Sequence, residues 1–288
     1  MKIIVLGGSG FIGSHVADAL SSRGHKVTIF DKKKSKWLRR DQKMVIGDIF
    51  NYNALKNAIR SNKIVYNFAA LSDMDQAMHE PLLCAKVNIL GTVQALNLCH
   101  KYKVRRFIHA SSIYATSSQG SFYSCSKRAA EDYLVEFNKS YKLNYTILRF
   151  GSVYGPRSDK NNGIRIILDK AISQRKIIYM GNKKAVRKYI NVFDAAKACV
   201  EILKSRYENK CVVLTGQKSI KISELLKFLA KILNINSKII FKDKKGNTGH
   251  YIKTPNLYEA KKGRGLLLRS RINFHDGLLS LIQDIKKN

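Results

Sequence analysis

A glycine-rich segment close to the N-terminus constrains the fold of this chain more than any other feature. A strand-like apolar run at 2–6 leads directly into the sequence Gly-Gly-Ser-Gly-Phe-Ile-Gly at 7–13, and an amphipathic stretch follows to about Arg23. Glycines at this point let the backbone turn tightly and approach a pyrophosphate, which the N-terminus of the next helix then binds. Between a strand and a helix, the pattern predicts a dinucleotide-binding unit. Its candidate cofactor-binding residues are Gly7, Gly10, Phe11, Ile12 and Gly13.

An acidic residue after the second predicted strand indicates which dinucleotide is bound. The strand covers 26–30 and Asp31 follows it, at about the 20-residue distance that is typical of this motif. Its carboxylate would accept hydrogen bonds from a ribose 2′-hydroxyl and repel a 2′-phosphate. The sequence therefore predicts NAD as the cofactor rather than NADP, although the lysines at 32–34 would soften this preference.

Short apolar strands alternate with helices as far as residue 149. This alternation predicts an α/β fold with a Rossmann-like doubly wound parallel sheet, in which ligands bind at the carboxyl ends of the strands. Asp48 and Ile49 follow one predicted strand, and Ala69 follows the next. Asp48 would either reach an adenine amino group or simply lie at the start of a helix. Ala69 keeps the side chain small where a cofactor must pass.

A long helix is predicted from Pro81 to about Lys101, and Asn88 lies in its interior. Asparagine is mildly unfavourable inside a helix, because its side chain competes for backbone hydrogen bonds. Either an inward polar contact or plain exposure to solvent would explain it. We include Asn88 among the candidate cofactor-binding residues.

The pattern becomes irregular after residue 149, which indicates a smaller α/β C-terminal lobe for the substrate. The predicted division assigns 1–155 and 188–215 to the NAD-binding Rossmann domain. It assigns 156–187 and 216–288 to the substrate lobe, with a closing helix at about 276–285.

Residues 111–127 contain the candidates for catalysis. Ser111 and Ser112 follow a predicted strand, and Tyr123 and Lys127 lie at the start of a predicted helix. Residues four apart share one helix face. The ammonium of Lys127 would therefore lower the pKa of Tyr123 from its usual value of about 10. A tyrosine tuned in this way can take a proton from a substrate hydroxyl near neutral pH, although such pairs are also common surface neighbours.

The composition is strongly basic, with 53 Lys+Arg against 20 Asp+Glu and a net charge of +33 over 288 residues. These charges are spread along the chain without a nucleic-acid-binding motif, so we expect a solvated basic surface and no nucleic-acid partner. Five cysteines without CxxC spacing predict neither a metal site nor a disulfide framework. No uninterrupted apolar run reaches the roughly 18 residues of a membrane span, and no leader-like segment begins the chain. We therefore expect a cytoplasmic location and no membrane span.

Taken in order, these segments resemble the extended short-chain dehydrogenase/reductase family, in its NAD-dependent nucleotide-sugar epimerase/dehydratase branch, which includes UDP-glucose 4-epimerase. The resemblance covers essentially the whole chain. The matching segments are the glycine motif at 7–13, Asp31, Gly-Asp-Ile at 47–49, Asn-Phe-Ala-Ala at 67–70, Asn-Ile-Leu-Gly-Thr at 88–92, Ser111-Ser112, Tyr123 with Lys127, Arg-Phe-Gly-Ser-Val-Tyr-Gly-Pro-Arg at 149–157 and Arg-Lys-Tyr-Ile-Asn-Val-Phe-Asp at 187–194.

The resemblance implies a role for each matching residue. Ser112 would bind the sugar hydroxyl and shuttle its proton, Tyr123 would be the base, and Lys127 would hold the nicotinamide ribose. Arg187 would bind the diphosphate of the substrate, since a planar guanidinium suits phosphate oxygens. Ser152 stands where the family often has an Asn that contacts the diphosphate.

The resemblance also implies an enzyme that acts on a nucleotide-diphosphate sugar, often in the assembly of cell-surface polysaccharides. We expect an epimerase that acts at C4 through a transient 4-keto sugar. Dehydratases of this branch carry Asp-Glu after the catalytic Ser or Thr, whereas Ile113 and Tyr114 follow Ser112 here. A 4-keto reductase or C4 oxidase, and a non-catalytic NAD- or nucleic-acid-binding protein, are the alternatives. A homodimer formed through the helices at 81–101 and 122–139 is a further expectation from the family.

Overall fold

The computed structural model describes residues 1–117, 119–236 and 239–242. Seven parallel strands form the main sheet, in the order β10-β6-β5-β4-β1-β2-β3. These strands are β1 Lys2–Leu6, β2 Lys26–Asp31, β3 Gln42–Ile46, β4 Ile64–Asn67, β5 Arg106–Ser112, β6 Asn144–Phe150 and β10 Lys210–Leu214. The order reverses direction at β1, where the carboxyl ends of β1 and β4 open a crevice for a ligand.

Helices cover both faces of this sheet. Within the described residues the helices are α1 Phe11–Ser21, α2 Tyr52–Ile59, α3 Met74–His79, α4 Pro81–Ala85, α5 Gly91–Lys101, α6 Ser121–Tyr141, α7 Gly163–Gln174, α8 Val192–Glu201 and α9 Ile222–Ile232, with 3₁₀ turns at Ile113–Thr116 and Ser205–Tyr207. The core on one face contains residues of α1 and α8, such as Leu20 and Ala195. The core on the other face contains residues of α2, α5 and α6, such as Leu55, Leu96 and Leu134. The predicted doubly wound α/β fold is therefore confirmed.

A smaller group of elements follows β6. Strands β7 (Ser152–Tyr154), β9 (Val186–Asn191) and β11 (Ser219–Lys221) form one small sheet, and β8 (Ile178–Met180) pairs with β12 (Ile240–Lys242). Residues of α7 and α9, including Ile167 and Leu226, share a separate apolar core there.

The boundaries of this lobe remain a prediction. The predicted division at 155 and 188 runs through the sheet that pairs β7 with β9. The closing helix expected at 276–285 lies outside the described residues, as does much of the proposed 216–288 segment.

The helix predicted over 81–101 is interrupted by a π-helical turn at Lys86–Leu90, between α4 and α5. Such turns often accompany functional sites, because they rotate one side chain out of the regular α-helical order. By length and composition the segment Pro81–Lys101 also resembles a membrane span, since its most apolar 18-residue window has a mean hydropathy of 1.4. A helix that packs against a soluble core gives the same pattern, and 44% of the most apolar window is buried inside this domain.

Candidate active site

The glycine motif forms a tight turn between β1 and α1. Gly7 has a φ of +73°, which is accessible to glycine without strain, and a Cβ there would lie 2.5 Å from the backbone nitrogen of Ala69. A Cβ on Gly13 would lie 2.4 Å from the backbone oxygen of Gly7. Gly10 precedes the first turn of α1, whose N–H groups have no partners inside the helix. The loop is thus packed too closely for side chains, and it presents helix N–H groups to an anion such as a pyrophosphate.

The carboxylate of Asp31 lies beside this loop, at the end of β2. Its Oδ2 accepts a hydrogen bond from the backbone N–H of Ser9 at 3.0 Å, and its Oδ1 accepts one from the backbone N–H of Lys33 at 3.1 Å. These contacts fix the carboxylate of Asp31 next to the loop that would bind the pyrophosphate. The adenosine ribose of a bound dinucleotide would lie there. The cradle that a Cβ would fill and the acid at its edge both fit NAD. Ser9, which orients Asp31, was not predicted as a site residue.

Asp48 and Ile49 follow β3 on the same edge of the sheet. Asp48 is exposed, and its Oδ1 accepts a hydrogen bond from the backbone N–H of Phe50 at 2.9 Å. Ile49 is buried against α5, where a Cβ on Gly91 would lie 3.1 Å from its side chain. The cofactor contacts of both residues stay predictions. The backbone of Ala69 packs directly against Gly7 of the glycine loop. Ala69 therefore lies next to the loop that is predicted to bind the cofactor.

The side chain of Asn88 points into the protein. Its Oδ1 accepts a hydrogen bond from the Leu71 N–H at 2.8 Å, and its Nδ2 donates to the Leu71 oxygen at 3.0 Å and to the Ser126 Oγ at 2.9 Å. The amide is buried and both of its N–H donors are used within the protein. These bonds tie the segment after β4 to α6, and the contact of Asn88 with the cofactor stays a prediction.

The structure brings the three predicted catalytic residues together. Ser112 is the last residue of β5, while Tyr123 and Lys127 lie one turn apart at the start of α6. The side chain of Ser112 forms a hydrogen bond with Tyr123. The ammonium of Lys127 lies 5.7 Å from the centroid of the Tyr123 ring and donates a hydrogen bond to the Ala110 oxygen at 2.8 Å. A phenol, a hydroxyl and an ammonium thus share one corner of the sheet edge.

The pKa of Tyr123 differs from the expectation drawn from sequence. Burial raises the pKa of the phenol to about 12, the hydrogen bond with Ser112 opposes this rise, and Cys84 adds to it. The predicted lowering of the Tyr123 pKa below its usual value is therefore wrong. The physical reason is that Lys127 is directed to Ala110, while the phenol lies in a protein environment that disfavours its anion.

The short connection between Ser112 and Tyr123 is held by an arginine of α6. The chain forms one 3₁₀ turn at Ile113–Thr116 before α6 begins. Arg128 donates to the Ala115 oxygen at 2.9 Å and to the Ser117 oxygen at 3.1 Å. These contacts hold the short wall of the site against α6, the helix that carries Tyr123 and Lys127.

The two predicted substrate-binding residues lie in the three-stranded sheet next to this corner. Ser152 begins β7, two residues after Phe150, which pairs with Ser112 across β5 and β6. Arg187 lies on β9, the strand that pairs with β7, and its guanidinium donates to the Val186 oxygen at 3.1 Å. A cavity of ≈350 Å³ near this strand is lined by Gly181, Asn182, Lys183, Lys184 and Phe241. The contacts of Ser152 and Arg187 with a substrate stay predictions.

A buried charged network beside the catalytic residues was missed by the sequence analysis. Glu131 accepts hydrogen bonds from Ser111 and from Arg149. The available signal was its spacing: Glu131 follows Lys127 by four residues, on the helix face that already carries Tyr123. A charged residue on a buried helix face needs a partner, and this argument would have identified it.

Comparison with known proteins identifies the family of this chain. The model of the NAD dependent epimerase/dehydratase family matches residues 3–214. A Methanocaldococcus jannaschii protein, provisionally named a UDP-glucose 4-epimerase, is 25% identical over 307 aligned positions that cover 99% of each chain. Other relatives are dTDP-D-glucose 4,6-dehydratases and UDP-glucuronic acid decarboxylases.

Two solved structures share the fold over most of the chain. UDP-glucose 4-epimerase of Thermotoga maritima, solved with UDP-glucose, has a TM-score of 0.81 and 27% identity, and the match covers 90% of both chains. UDP-glucose 4-epimerase of Thermus thermophilus, solved with NAD, has a TM-score of 0.79 and 25% identity over 90% of both chains. The family match spans the glycine loop, Asp31 and all three catalytic candidates, and it confirms the predicted resemblance. This chain belongs to the NAD dependent epimerase/dehydratase family.

Proposed function

We propose that this protein is an NAD-dependent epimerase that inverts C4 of a nucleotide-diphosphate sugar. The observation that carries the proposal is the convergence of Ser112, Tyr123 and Lys127 on the sheet edge that also holds the glycine loop and Asp31. A proton-transfer group and a dinucleotide cradle on one edge suit reversible oxidation of an alcohol.

Each residue of the site has its own role in the proposed reaction. Bound NAD supplies the hydride acceptor and donor. Tyr123 takes the proton of the C4 hydroxyl and later returns one, and Ser112, which bonds to the phenol, orients that hydroxyl and passes its proton. Lys127 favours the phenolate by its positive charge once substrate and cofactor fill the site. Arg187 and Ser152 are assigned to the substrate diphosphate.

The residues after Ser112 favour epimerisation over elimination of water. Elimination needs a second acid/base pair next to the first, and here Ser112 is followed by Ile113, which is buried, and by Tyr114. The backbone N–H of Tyr114 donates to the Ser112 Oγ at 3.2 Å. Neither of the two residues after Ser112 is a carboxylate that could act as that second acid/base pair.

The direct test is product analysis with a panel of UDP-, GDP- and dTDP-sugars. We expect one sugar to give an isomer of unchanged mass and inverted C4, identified by NMR, without accumulation of reduced nicotinamide. Stoichiometric formation of NADH would instead support the C4 oxidase alternative, stoichiometric consumption of NADH by a 4-keto sugar would support the reductase, and loss of water would show a dehydratase. If no sugar reacts and the protein binds neither NAD nor NADP, the enzymatic proposal itself fails.

We also propose that the protein acts in the cytoplasm as a homodimer. Large apolar side chains are exposed along the helical segment 81–101 and on α6: Leu82, Leu90, Phe122 and Tyr133. Such a surface is costly in a monomer and is typical of an interface. Helices that present apolar faces side by side pack well against a second copy of themselves.

Changing Leu82 to Glu is expected to weaken this dimer. Leu82 is 82% exposed at the start of α4, where a carboxylate is compatible with the helix N-terminus. Burying an unpaired charge in the interface should raise the dissociation constant at least about tenfold. Light scattering after size-exclusion chromatography, over a range of concentrations, measures it. Ile172→Glu, at an exposed position on α7, is the matched control and should leave the mass unchanged. A Leu82→Glu variant that dimerises like the wild type would rule out this surface.

A further inference from the structure

We propose that Glu131 is a positioning residue of the active site, whose carboxylate, fixed by Ser111 and Arg149, keeps the ammonium of Lys127 charged and in place. Its relevance to turnover rests on the proposed function. Its effect on Lys127 does not, and it can be measured without substrate or cofactor.

The first observation is a one-to-one match between the end of β5 and one face of α6. Three consecutive strand residues each bond to one of three helix residues spaced by four. Ala110 accepts from Lys127 at 2.8 Å, Ser111 donates to Glu131 at 2.5 Å, and Ser112 bonds to Tyr123. Glu131 is thus the third member of a row whose other two members are the catalytic pair, and its contact with Ser111 helps to set the register of that row.

The second observation is that Glu131 is held as a buried ion. Its side chain is 7% exposed, and Arg149 of β6 donates to it through Nε at 3.0 Å and through Nη2 at 2.6 Å. This two-point contact is the geometry in which an arginine binds a carboxylate most strongly. With the hydroxyl of Ser111 as a further donor, the carboxylate has little freedom to turn away from the helix face that it shares with Lys127.

The third observation is the setting of Lys127, which is 3% exposed. The titratable groups that face it are Glu131, Cys84 of α4 and His109 of β5, together with Tyr123. Burial and the charge of Lys127 hold the pKa of His109 well below its usual range, so this ring is neutral. Glu131 is the carboxylate among these groups.

Opposing effects determine the pKa of Lys127. Burial lowers the pKa of its ammonium to about 8, and Cys84 and Glu131 oppose that change. A further fall would leave the amine uncharged at neutral pH, where it could no longer favour a Tyr123 phenolate. Arg149 pairs with the same carboxylate and partly offsets its field. The two members of the ion pair therefore have opposite predicted effects on Lys127.

The opposite signs give a test that a purely structural ion pair would fail. Protein without cofactor is labelled with ¹³C at the lysine Cε, and each lysine signal is followed by NMR as a function of pH. Most lysines titrate near their ordinary pKa of about 10.4, so a signal with a midpoint of about 8 stands apart. Its absence from the Lys127→Met variant assigns it.

In Glu131→Gln, which keeps the size of the side chain and loses its charge, we expect the Lys127 midpoint to fall by at least about one pH unit. In Arg149→Gln the midpoint should rise. Ser111→Ala removes a contact without changing charge, and it should move the midpoint much less than either. An unchanged midpoint in Glu131→Gln, or shifts of the same sign in Glu131→Gln and Arg149→Gln, would overturn the proposal.

The Glu131→Gln variant leaves Arg149 unpaired, which can impair folding. A further variant tests the proposal in that case. The double variant Glu131→Gln/Arg149→Gln carries neither charge and avoids a buried unpaired ion. Since Glu131 lies on the same helix face as Lys127, its loss should dominate, and the midpoint should again fall below that of the wild type. A midpoint at or above the wild-type value would contradict the proposal, whatever the result of the sugar assay.

Discussion

The Tyr123→Phe variant should lose about 10²- to 10⁴-fold in kcat, the usual contribution of a general acid or base, and should still bind NAD. The substitution removes only the phenolic hydroxyl. The ring packs against an apolar cluster that includes Leu71 and Cys84, and phenylalanine keeps those contacts. Turnover of the sugar identified by the product screen measures the loss, and the NAD released on denaturation measures cofactor binding.

The same change at Tyr141 is the matched control. Tyr141 ends the same helix, is exposed, and packs against His100 in a tilted ring pair with centroids 4.3 Å apart, a contact that phenylalanine can also make. Tyr141→Phe should therefore retain wild-type turnover. If Tyr123→Phe also retained full activity, Tyr123 would not be the base and the proposed mechanism would be wrong.

The Gly13→Ala variant should bind NAD far more weakly and should lower the free energy of unfolding by about 1–3 kcal/mol, the usual cost of overpacking. The added Cβ would lie 2.4 Å from the backbone oxygen of Gly7 and 3.0 Å from the Cα of Gly8. Because these neighbours are backbone atoms, the turn itself must move, and with it the surface that receives the pyrophosphate. Urea unfolding followed by the fluorescence of Trp37, the sole tryptophan, measures stability, and calorimetric titration measures NAD binding.

Gly163→Ala is the corresponding control at a helix start. A Cβ on Gly163 would meet no atom of the described residues within 4 Å. Replacing a helical glycine by alanine where the backbone allows it usually stabilises by a few tenths to about 1 kcal/mol. A loss of NAD binding in this control as large as in Gly13→Ala would show that the effect does not arise from the cofactor turn.

Several features of the site followed from local sequence. The glycine turn, the acid at the end of β2 and the spacing of Tyr123 and Lys127 depend on short-range rules: which residues tolerate a tight turn, and which share a helix face. Parallel strands then place their carboxyl ends on one edge, so the approximate location of the site could be predicted.

The orientation of Asn88 and the charge balance at Tyr123 could not be predicted in the same way. Helical periodicity says which side of a helix a residue occupies, but not what packs against that side. Leu71 and Ser126, which bind the amide of Asn88, come from two different parts of the chain. The direction of the pKa shift of Tyr123 depends on burial by many distant groups, and spacing alone suggested the opposite sign.

The sequence by itself determined the fold class, the glycine turn and the spacing of the candidate pair Tyr123 and Lys127, because each rests on residues within one turn, strand or helix. Only the tertiary structure decided that Asn88 bonds to Leu71, that Lys127 bonds to Ala110, and that Glu131 of α6 links Ser111 of β5 to Arg149 of β6. Those outcomes depend on side chains that meet across three elements. Burial among them determines hydrogen bonding and pKa values, and the sequence of a single element does not reveal that burial.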